Sequence, residues 1–346
     1  MRSNQQSVTN ERDAERRPEV DFSVIMSCYF EENSIEIFHE RLSKTLESMG
    51  RSYEIIFVND GSTDGTWEKL QKIFDSDSNV TAIVDFFKNS GQANAKTPGV
   101  QLARGKAIVL IDSDLQLDPE ELPSLVEKYD EGQDIVSGYR RKRRDSIFRK
   151  LPSLIANVIM RKASGSKIRD FGCTFKIYDG RLARAFGFGP FKPWKPVSVI
   201  AMAGRIAEVP VNHHPRRYGK SGWTFQKLFA YNMENLVNLS KTPFQILGVV
   251  CFFLGIVFFL RIGVGYLIPF SILPRVTTGM ILNALVASTF ILVAILSAIG
   301  EFVIRNFSYL QNRPAYVIRE MRLRECMDGS RCLQGIGSHG STVPFR

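Results

Sequence analysis

The chain has 346 residues, 44% of them hydrophobic and 23% charged, with a formal net charge of +10. That is enough apolar material for a full α/β domain with a sizeable remainder. Its five cysteines (Cys28, Cys173, Cys251, Cys326 and Cys332) show no paired metal-ligand spacing and read as free thiols, which excludes a cysteine zinc module and a disulfide framework.

Residues 1–20 are polar and charged, carry no signal peptide and read as a disordered tail. The pattern then predicts strand 22–26, helix 34–49, strand 54–58, helix 66–74, strand 80–86, helix 93–103, strand 107–111 and, further on, strand 135–139. Alternation of this kind predicts a doubly wound α/β sheet, which binds ligands beyond the carboxyl ends of its strands. The acidic motifs fall at such ends: "YFEEN" (29–33), "NDGSTDGT" (59–66) and "DSDLQ" (112–116).

Residues i and i+2 of a strand share a face, so Asp112 and Asp114 are expected to project together, with Gln116 nearby if the extension persists. Hard oxygen ligands at that spacing suit Mg2+ or Mn2+ carrying a diphosphate. A solvated turn is the alternative reading of the same motif. Asp118, with Pro119, Glu120 and Glu121 after it, reads as a helix N-cap followed by a proline and two dipole-matched acids. Gly61 and Gly65 suit a tight turn, and Asp64 suits a cap. Three acid-bearing loops on one rim make a polar cleft, and in a protein this basic such a cleft needs a cation to hold a nucleotide diphosphate.

The stretch "YRRKRRDSIFRK" (139–150) carries seven basic residues against one acid. Ile147, Phe148, Leu151, Leu154, Ile155, Val158 and Ile159 then form one apolar stripe, the pattern of a helix lying in a membrane interface over about 146–162. A solvated charge run packed on the core is the alternative. Guanidinium groups suit a lipid phosphate, which points to Arg140 at the end of its strand and to Arg149 with Ser153 one turn later. A second amphipathic stretch covers 221–241. Residues 242–260 and 276–300 are charge-free runs of 19 and 25 residues, predicting two transmembrane helices at about 243–265 and 278–300. Basic residues crowd the outer flanks of the pair, so the positive-inside asymmetry predicts both termini in the cytoplasm, with residues 305–346 as a C-terminal segment and tail. His213 and His214 read as loop residues, in "HHPRRYGKSGW".

Taken together, "VNDGSTDGT", "KNSGQANAKTPG", "DSDLQLDPEE", "DIVSGYR", "RDFGCTFKIY" and "GEFVIRNFSYLQNRPAYVI" resemble the polyprenyl-phosphate glycosyltransferases of glycosyltransferase family 2 over roughly residues 20–320. That group contains dolichyl-phosphate mannose synthase, prophage glucosyl carriers and, closest in pattern, undecaprenyl-phosphate aminoarabinose transferases. The resemblance implies a GT-A (Rossmann-like) domain over 21–220. It implies metal-dependent, inverting transfer of a sugar from a nucleotide sugar, with a UDP carrier, to a polyprenyl phosphate at the inner membrane, for cell-envelope glycan or lipid A modification. It also implies a homo-oligomer, a tetramer in relatives. Residue by residue, it implies that Tyr29, Glu31, Asp60, Gln92 and Asp112 bind the nucleotide sugar, joined by Arg217 and Lys220 from a loop that closes over the diphosphate. Asp114 and Gln116 hold the metal, Asp112, Asp114 and Asp170 serve catalysis, and Arg140, Arg149 and Ser153 take the acceptor phosphate. The chain departs from the pattern at Phe30, where relatives carry Asn, and at Asn59, where Asp is common.

Four rivals share some of these features. A nucleic-acid binder fits the basic balance but not the acidic rim or the apolar spans. A processive polysaccharide synthase should carry more spans and a Q-x-x-R-W segment, which this chain lacks. A non-catalytic, membrane-anchored nucleotide-sugar scaffold and a family 2 transferase with a different acceptor remain as alternatives.

Overall fold

The computed structural model describes residues 20–141, 161, 166, 168–185, 189–218, 314–324 and scattered positions between 281 and 303. The chain divides into two units, Met1–Asn235 with Pro314–Arg346, and Leu236–Arg313.

In the first unit the predicted alternation is present, with the predicted ends met within two residues for β1 (Phe22–Cys28), α1 (Ile35–Ser48), β2 (Tyr53–Asn59), α2 (Thr66–Ser76), β3 (Val80–Phe86), α3 (Gln92–Leu102), β4 (Ala107–Leu110) and β5 (Ile135–Arg140), whereas α4 (Leu122–Asp130) begins later than a cap at Asp118 implies, after a short 3-10 turn over Pro119–Glu121. Among the described residues, β6 (Lys176–Asp179), α5 (Gly180–Arg184), α6 (Pro196–Ile200) and β7 (Ile206–Val211) follow. The central strands are apolar almost throughout because both of their faces are covered. Val24, Met26, Ile55, Phe57 and Val109 point to one face, against Phe38, Leu42 and Leu46 of α1. Their neighbours Ile25, Ile56, Ile108 and Leu110 point to the other, where Val100 of α3 packs.

The sheet is mixed rather than purely doubly wound, with strand order β7-β5-β6-β4-β1-β2-β3-β8. β1 pairs in parallel with β2 and β4, and β2 with β3, whereas β6 runs antiparallel to both β4 and β5. An antiparallel strand needs no crossover helix of its own, so the helix–strand alternation of the sequence does not announce it.

The last strand, β8 (Ile318–Leu323), lies in what the sequence reading leaves as a C-terminal segment and tail. It pairs antiparallel with β3 and closes that edge. Tyr316 stacks on Phe86 with ring centroids 4.7 Å apart, and its hydroxyl donates to Gln101 Oε1 at 3.3 Å. Arg319 stands 3.3 Å from Asp85 Oδ2 and donates to the Phe87 carbonyl at 2.8 Å. Arg319 and Arg324, read from sequence as part of a cationic membrane flank, therefore fasten an edge strand.

Of the predicted spans, 242–260 lies outside the described residues, and only single positions of 276–300 lie within them. Among the described residues, no helix is long and apolar enough to cross a membrane. In the second unit, the described helical positions expose Leu285, Leu292, Leu296 and Val303. The interfacial stretch 146–162 is outside the described residues except for Arg161, and 221–241 is wholly outside them.

Because Tyr316 is 3% exposed and covers the end of β3, Tyr316→Ala should destabilise the first unit by about 3 kcal/mol, the usual range for emptying a buried aromatic site. Denaturant unfolding followed by tryptophan fluorescence measures it, and an unchanged midpoint would show that β8 does not hold the sheet edge.

Candidate active site

Each loop leaving the carboxyl end of β1, β2 or β4 carries acids, and the fold brings these loops to one rim. After β1, Tyr29 and Phe30 are exposed and meet edge to face at 4.4 Å. Phe30 adopts φ +57°, a left-handed conformation that Asn tolerates and a bulky side chain does not. The Asn of relatives thus suits the backbone here, and this chain holds a phenylalanine in it. Glu31 follows, 6% exposed, and accepts from the Ser34 hydroxyl. Burial pushes its carboxyl up to about 7, with Ser34 and then Arg216 opposing.

After β2, Asn59 Nδ2 donates to Asp85 Oδ1 at 2.8 Å, and Ser62 Oγ donates to Asn59 Oδ1 at 2.5 Å. Asp60 does not present a free carboxylate. It accepts from Asn89 Nδ2 at 3.0 Å and from the backbone N–H groups of Ser90 at 2.6 Å and Gly91 at 2.9 Å. Its burial still pushes it up to about 6. Gly61 makes this approach possible: at φ +68°, a Cβ there would lie 2.4 Å from the Lys88 carbonyl carbon.

The loop after β4 departs from the simple strand argument. β4 ends at Leu110, and Leu115 takes φ +58°, so the i, i+2 alternation stops before Asp112. Convergence comes instead from a turn in which the Gln116 N–H donates to Asp114 Oδ1 at 3.1 Å. With its amide oriented to satisfy it, Gln116 also donates to Asp114 Oδ2 at 3.0 Å. Asp112 is gripped by Gln92 Nε2 at 2.6 Å and by Thr174 Oγ1 at 2.7 Å. Asp114, 8% exposed, is raised above the ordinary aspartate range, first by burial and then by Asp112.

A cation already meets these acids. Arg216 Nη2 donates to Asp114 Oδ2 at 2.9 Å and lies 3.6 Å from Glu31 Oε1. Its loop is tied down by the His214 N–H donating to the Gln116 carbonyl at 2.9 Å and by His214 Nε2 at 2.7 Å from Asp118 Oδ2. Asp118 makes no side-chain cap bond; it serves His214 and Arg41 instead. Arg217, the neighbour favoured from sequence, is exposed, and Lys220 lies outside the described residues. Nothing in the motif separates the two arginines, because the loop's path alone decides which one turns inward.

On the opposite wall, Arg140 and Asp170 form a bidentate pair: Nε donates to Oδ2 at 2.7 Å and Nη2 to Oδ1 at 2.8 Å. Two residues given separate tasks by the sequence reading are thus one unit. Asp112, Asp114, Gln116, Arg140, Thr174 and His213 line a single small cleft. Arg149 and Ser153 are outside the described residues.

Among the described residues, no three His, Cys, Asp or Glu side chains converge on one point. Asp114 and Gln116 nevertheless fit a hard divalent ion of the Mg2+ or Mn2+ kind, which binds through one or two carboxylates and completes its shell with substrate phosphates and water. The guanidinium drawn against Asp114 marks that spot as one that accepts positive charge.

A mixed α/β sheet with acid-bearing loops at the carboxyl ends of its parallel strands defines the class: a GT-A, Rossmann-like nucleotide-sugar transferase fold. The chain belongs to glycosyltransferase family 2 and is a glycosyltransferase. The model of "Glycosyl transferase family 2" matches residues 23–188. The undecaprenyl-phosphate 4-deoxy-4-formamido-L-arabinose transferase of Shewanella sediminis is 30% identical over 329 residues, 90% of this chain and 96% of that protein. Its namesake in Proteus mirabilis is 31% identical over 311 residues, 86% and 93% of the two chains. Among solved structures, glucosyl-3-phosphoglycerate synthase from Mycobacterium tuberculosis, in complex with Mn2+, UDP and glucosyl-3-phosphoglycerate, is 19% identical with a TM-score of 0.46, covering 63% of this chain and 77% of that one.

Two stability effects follow from the rim. Phe30→Asn should raise stability by about 1 kcal/mol by relieving the left-handed strain, and a lowered unfolding midpoint would show that the phenylalanine ring contributes more than the strain costs. Glu31 titrates near 7 in the native state against 4.5 ordinarily, so the folded chain holds a proton that the unfolded chain has released, and stability falls as pH rises between those values. Glu31→Gln should therefore gain on the parent by up to roughly 3 kcal/mol between pH 5 and pH 7.5. Parallel pH profiles of the two proteins would contradict the shift.

Proposed function

We propose that the chain transfers a sugar, with inversion, from a UDP-linked donor to a polyprenyl phosphate, undecaprenyl phosphate by analogy with its relatives, at the cytoplasmic face of a membrane. The observation that carries this reading is the single cleft in which oxygen donors suited to a cation-bound diphosphate, Asp112, Asp114 and Gln116, face a guanidinium suited to a phosphate, Arg140.

The nucleophile determines how little proton transfer the site must supply. A phosphate monoester is already anionic near neutral pH, its second pKa being about 6. One of its oxygens attacks the anomeric carbon, the bond from that carbon to the leaving diphosphate breaks, and the electron pair departs with the nucleoside diphosphate. No proton has to be removed, so the residues act by bringing two anions together in the right orientation. Asp170 is then a positioning residue: it holds Arg140 in a fixed fork toward the acceptor. Arg149 and Ser153 extend that acceptor site.

On the donor side, Tyr29 and Glu31 border the nucleotide. Asp60 shapes its pocket through the 89–91 loop, and Gln92 keeps Asp112 turned toward the sugar diphosphate. Arg216 exchanges Asp114 for the diphosphate when the donor enters, with Arg217 and Lys220 following on the same loop. Asp114 and Gln116 would hold Mg2+ or Mn2+, which when bound neutralises charge on the leaving diphosphate.

Membrane attachment through two helices at about 243–265 and 278–300 rests on the apolar runs and on the exposed Leu285, Leu292 and Leu296. β8 adds a topological reason. It returns to the same sheet as the residues before the hairpin, so both flanks of that segment share one side of the bilayer and the number of crossings is even. A homo-oligomer, tetrameric as the resemblance suggests, completes the reading.

The test is transfer of radiolabel from a panel of nucleotide sugars to undecaprenyl phosphate with Mn2+, followed by organic extraction. Label should enter the lipid phase with at least one donor, and Asp114→Asn should lower it by at least about 100-fold. Normal turnover by that variant, or in the presence of a chelator, would overturn the metal assignment. Label confined to water with every donor would overturn the lipid acceptor.

A further inference from the structure

Beside the rim, at the sheet edge that β8 closes, three large apolar side chains face outward together. Phe87, just past the carboxyl end of β3, is 59% exposed, Val317 is 51% exposed and Phe191 is 48% exposed. Backbone contacts tie them into one strip. The Phe87 N–H donates to the Val317 carbonyl at 3.1 Å, and two residues earlier the Ala315 N–H donates at 2.7 Å to the carbonyl of Pro190, the neighbour of Phe191. Single exposed apolar residues are ordinary on a protein surface, whereas several gathered on one strip mark a contact surface.

The strip is firmly built. Phe191 stands at the tip of a tight turn, since Gly189 and Lys192 exchange backbone hydrogen bonds at 2.9 and 3.1 Å with Pro190 and Phe191 between them. Behind the turn Trp194 is 2% exposed, its backbone N–H donating to Thr97 Oγ1 at 3.0 Å and its indole N–H to the Ala183 carbonyl at 2.9 Å. Turn tips usually carry polar residues, and this one presents an aromatic ring on a fixed base. The Phe87 ring is held as well, with the Arg319 guanidinium 5.6 Å from its centre and Arg319 Nη2 donating to the Phe87 carbonyl at 2.8 Å.

Charge and position indicate what covers the strip. The nearest charged neighbour of each apolar residue along the chain is basic, Lys88, Lys192 and Arg319 respectively for Phe87, Phe191 and Val317, and all three are exposed. Aromatic rings edged by cations suit the headgroup layer of an anionic bilayer, where rings meet the upper acyl chains and ammonium groups meet phosphates. The segment that carries Val317 also begins directly after Arg313, the last residue of the unit that contains the apolar run 276–300. β1, β2 and β3 are parallel, so Phe87 leaves the sheet at the end where the acids gather, and Gly61 of that rim approaches Lys88 closely. Arg140 lies across the sheet on β5, where the cationic stretch 139–150 begins. Lipid contact at both edges would turn the cleft between them toward the bilayer.

We propose that Phe87, Phe191 and Val317 form a lipid-docking surface, seated in the headgroup layer of an anionic bilayer with Lys88 and Lys192 against its phosphates. This rests on the membrane attachment given above and adds the contact that orients the cleft toward its acceptor.

The experiment places the full-length chain in nanodiscs of phosphatidylglycerol and phosphatidylethanolamine, with and without acyl chains brominated near the headgroup, which quench only a tryptophan in contact with them. Phe191→Trp should add emission that bromine quenches by roughly half or more, as for a ring lying in the interface. Met202→Trp is the control. Met202 is exposed ahead of β7, at the opposite end of the sheet, and its added emission should stay unquenched. Unquenched emission from Phe191→Trp overturns the proposal, and a blue shift beside it shows that a second copy or another protein covers the strip instead. Phe87→Trp, read in the same way, decides if the Phe191 variant does not fold. In the transfer assay, the double variant Phe87→Glu, Phe191→Glu should lose about 10-fold or more with undecaprenyl phosphate in the disc and stay within about twofold of the parent with a short, water-soluble prenyl phosphate. Equal loss on both acceptors overturns the docking role. Quenching needs neither donor nor acceptor, so a quenched Phe191→Trp without labelled lipid keeps the surface and sinks only the transfer reading. A chain that does not enter nanodiscs sinks the membrane attachment and this surface with it.

Discussion

Glu31 and Asp114 stand with Asp112 at one end of one sheet, and burial first, then the neighbouring carboxylates, raises the proton affinity of Glu31 and Asp114. That repulsion is the condition the rest of the site answers. Charges crowded in a low-dielectric cleft must be compensated by protons, by a metal ion or by basic side chains. In the structure the compensation is Arg216 on a loop tied to the rim at His214, together with amide and hydroxyl donors from Gln92, Gln116 and Thr174. The acids and the arginine thus form one charge-compensated unit at the rim.

The opposite wall follows the same logic. Arg140 and Asp170 are each largely buried, and their pairing offsets the cost of taking both charges out of water. Paired, they give a guanidinium of fixed orientation whose remaining donors border the cleft. Asp170 thereby acts on the cleft through its neighbour, by fixing the guanidinium.

The sheet depends on a contact distant in sequence. β8 reaches β3 only after the whole Leu236–Arg313 unit, and its grip on Phe86, Asp85 and the Phe87 carbonyl couples the end of the chain to the strand beside Asn59. Any segment between residue 218 and residue 314 must therefore begin and end on the same domain. That constraint on topology comes from strand pairing alone and does not depend on hydropathy.

Much of the catalytic half was legible from the chain because its signals are local. Branched apolar runs mark β1 to β4, helical spacing marks α1 to α3, and acids placed directly after strands mark the rim, since a parallel sheet sends every such loop to the same end. Local signals cannot say which partner a side chain finds. Asp112 and Asp114 line one cleft, but a left-handed Leu115 and a turn at Gln116 bring the loop together where strand alternation was expected. Between Arg216 and Arg217, between a free and a paired Arg140, and between a helix cap and an Arg41 partner for Asp118, the sequence is neutral. The strands β6, β7 and β8 likewise carry no alternation of their own and exist because neighbouring edges need hydrogen-bond partners. Composition and spacing determined the fold class and the end of the sheet where the acid-bearing loops gather, because both follow from nearest-neighbour physics. Tertiary structure decided which charges meet, because ion pairs such as Arg216–Asp114 and Arg319–Asp85 join positions that no window of sequence contains.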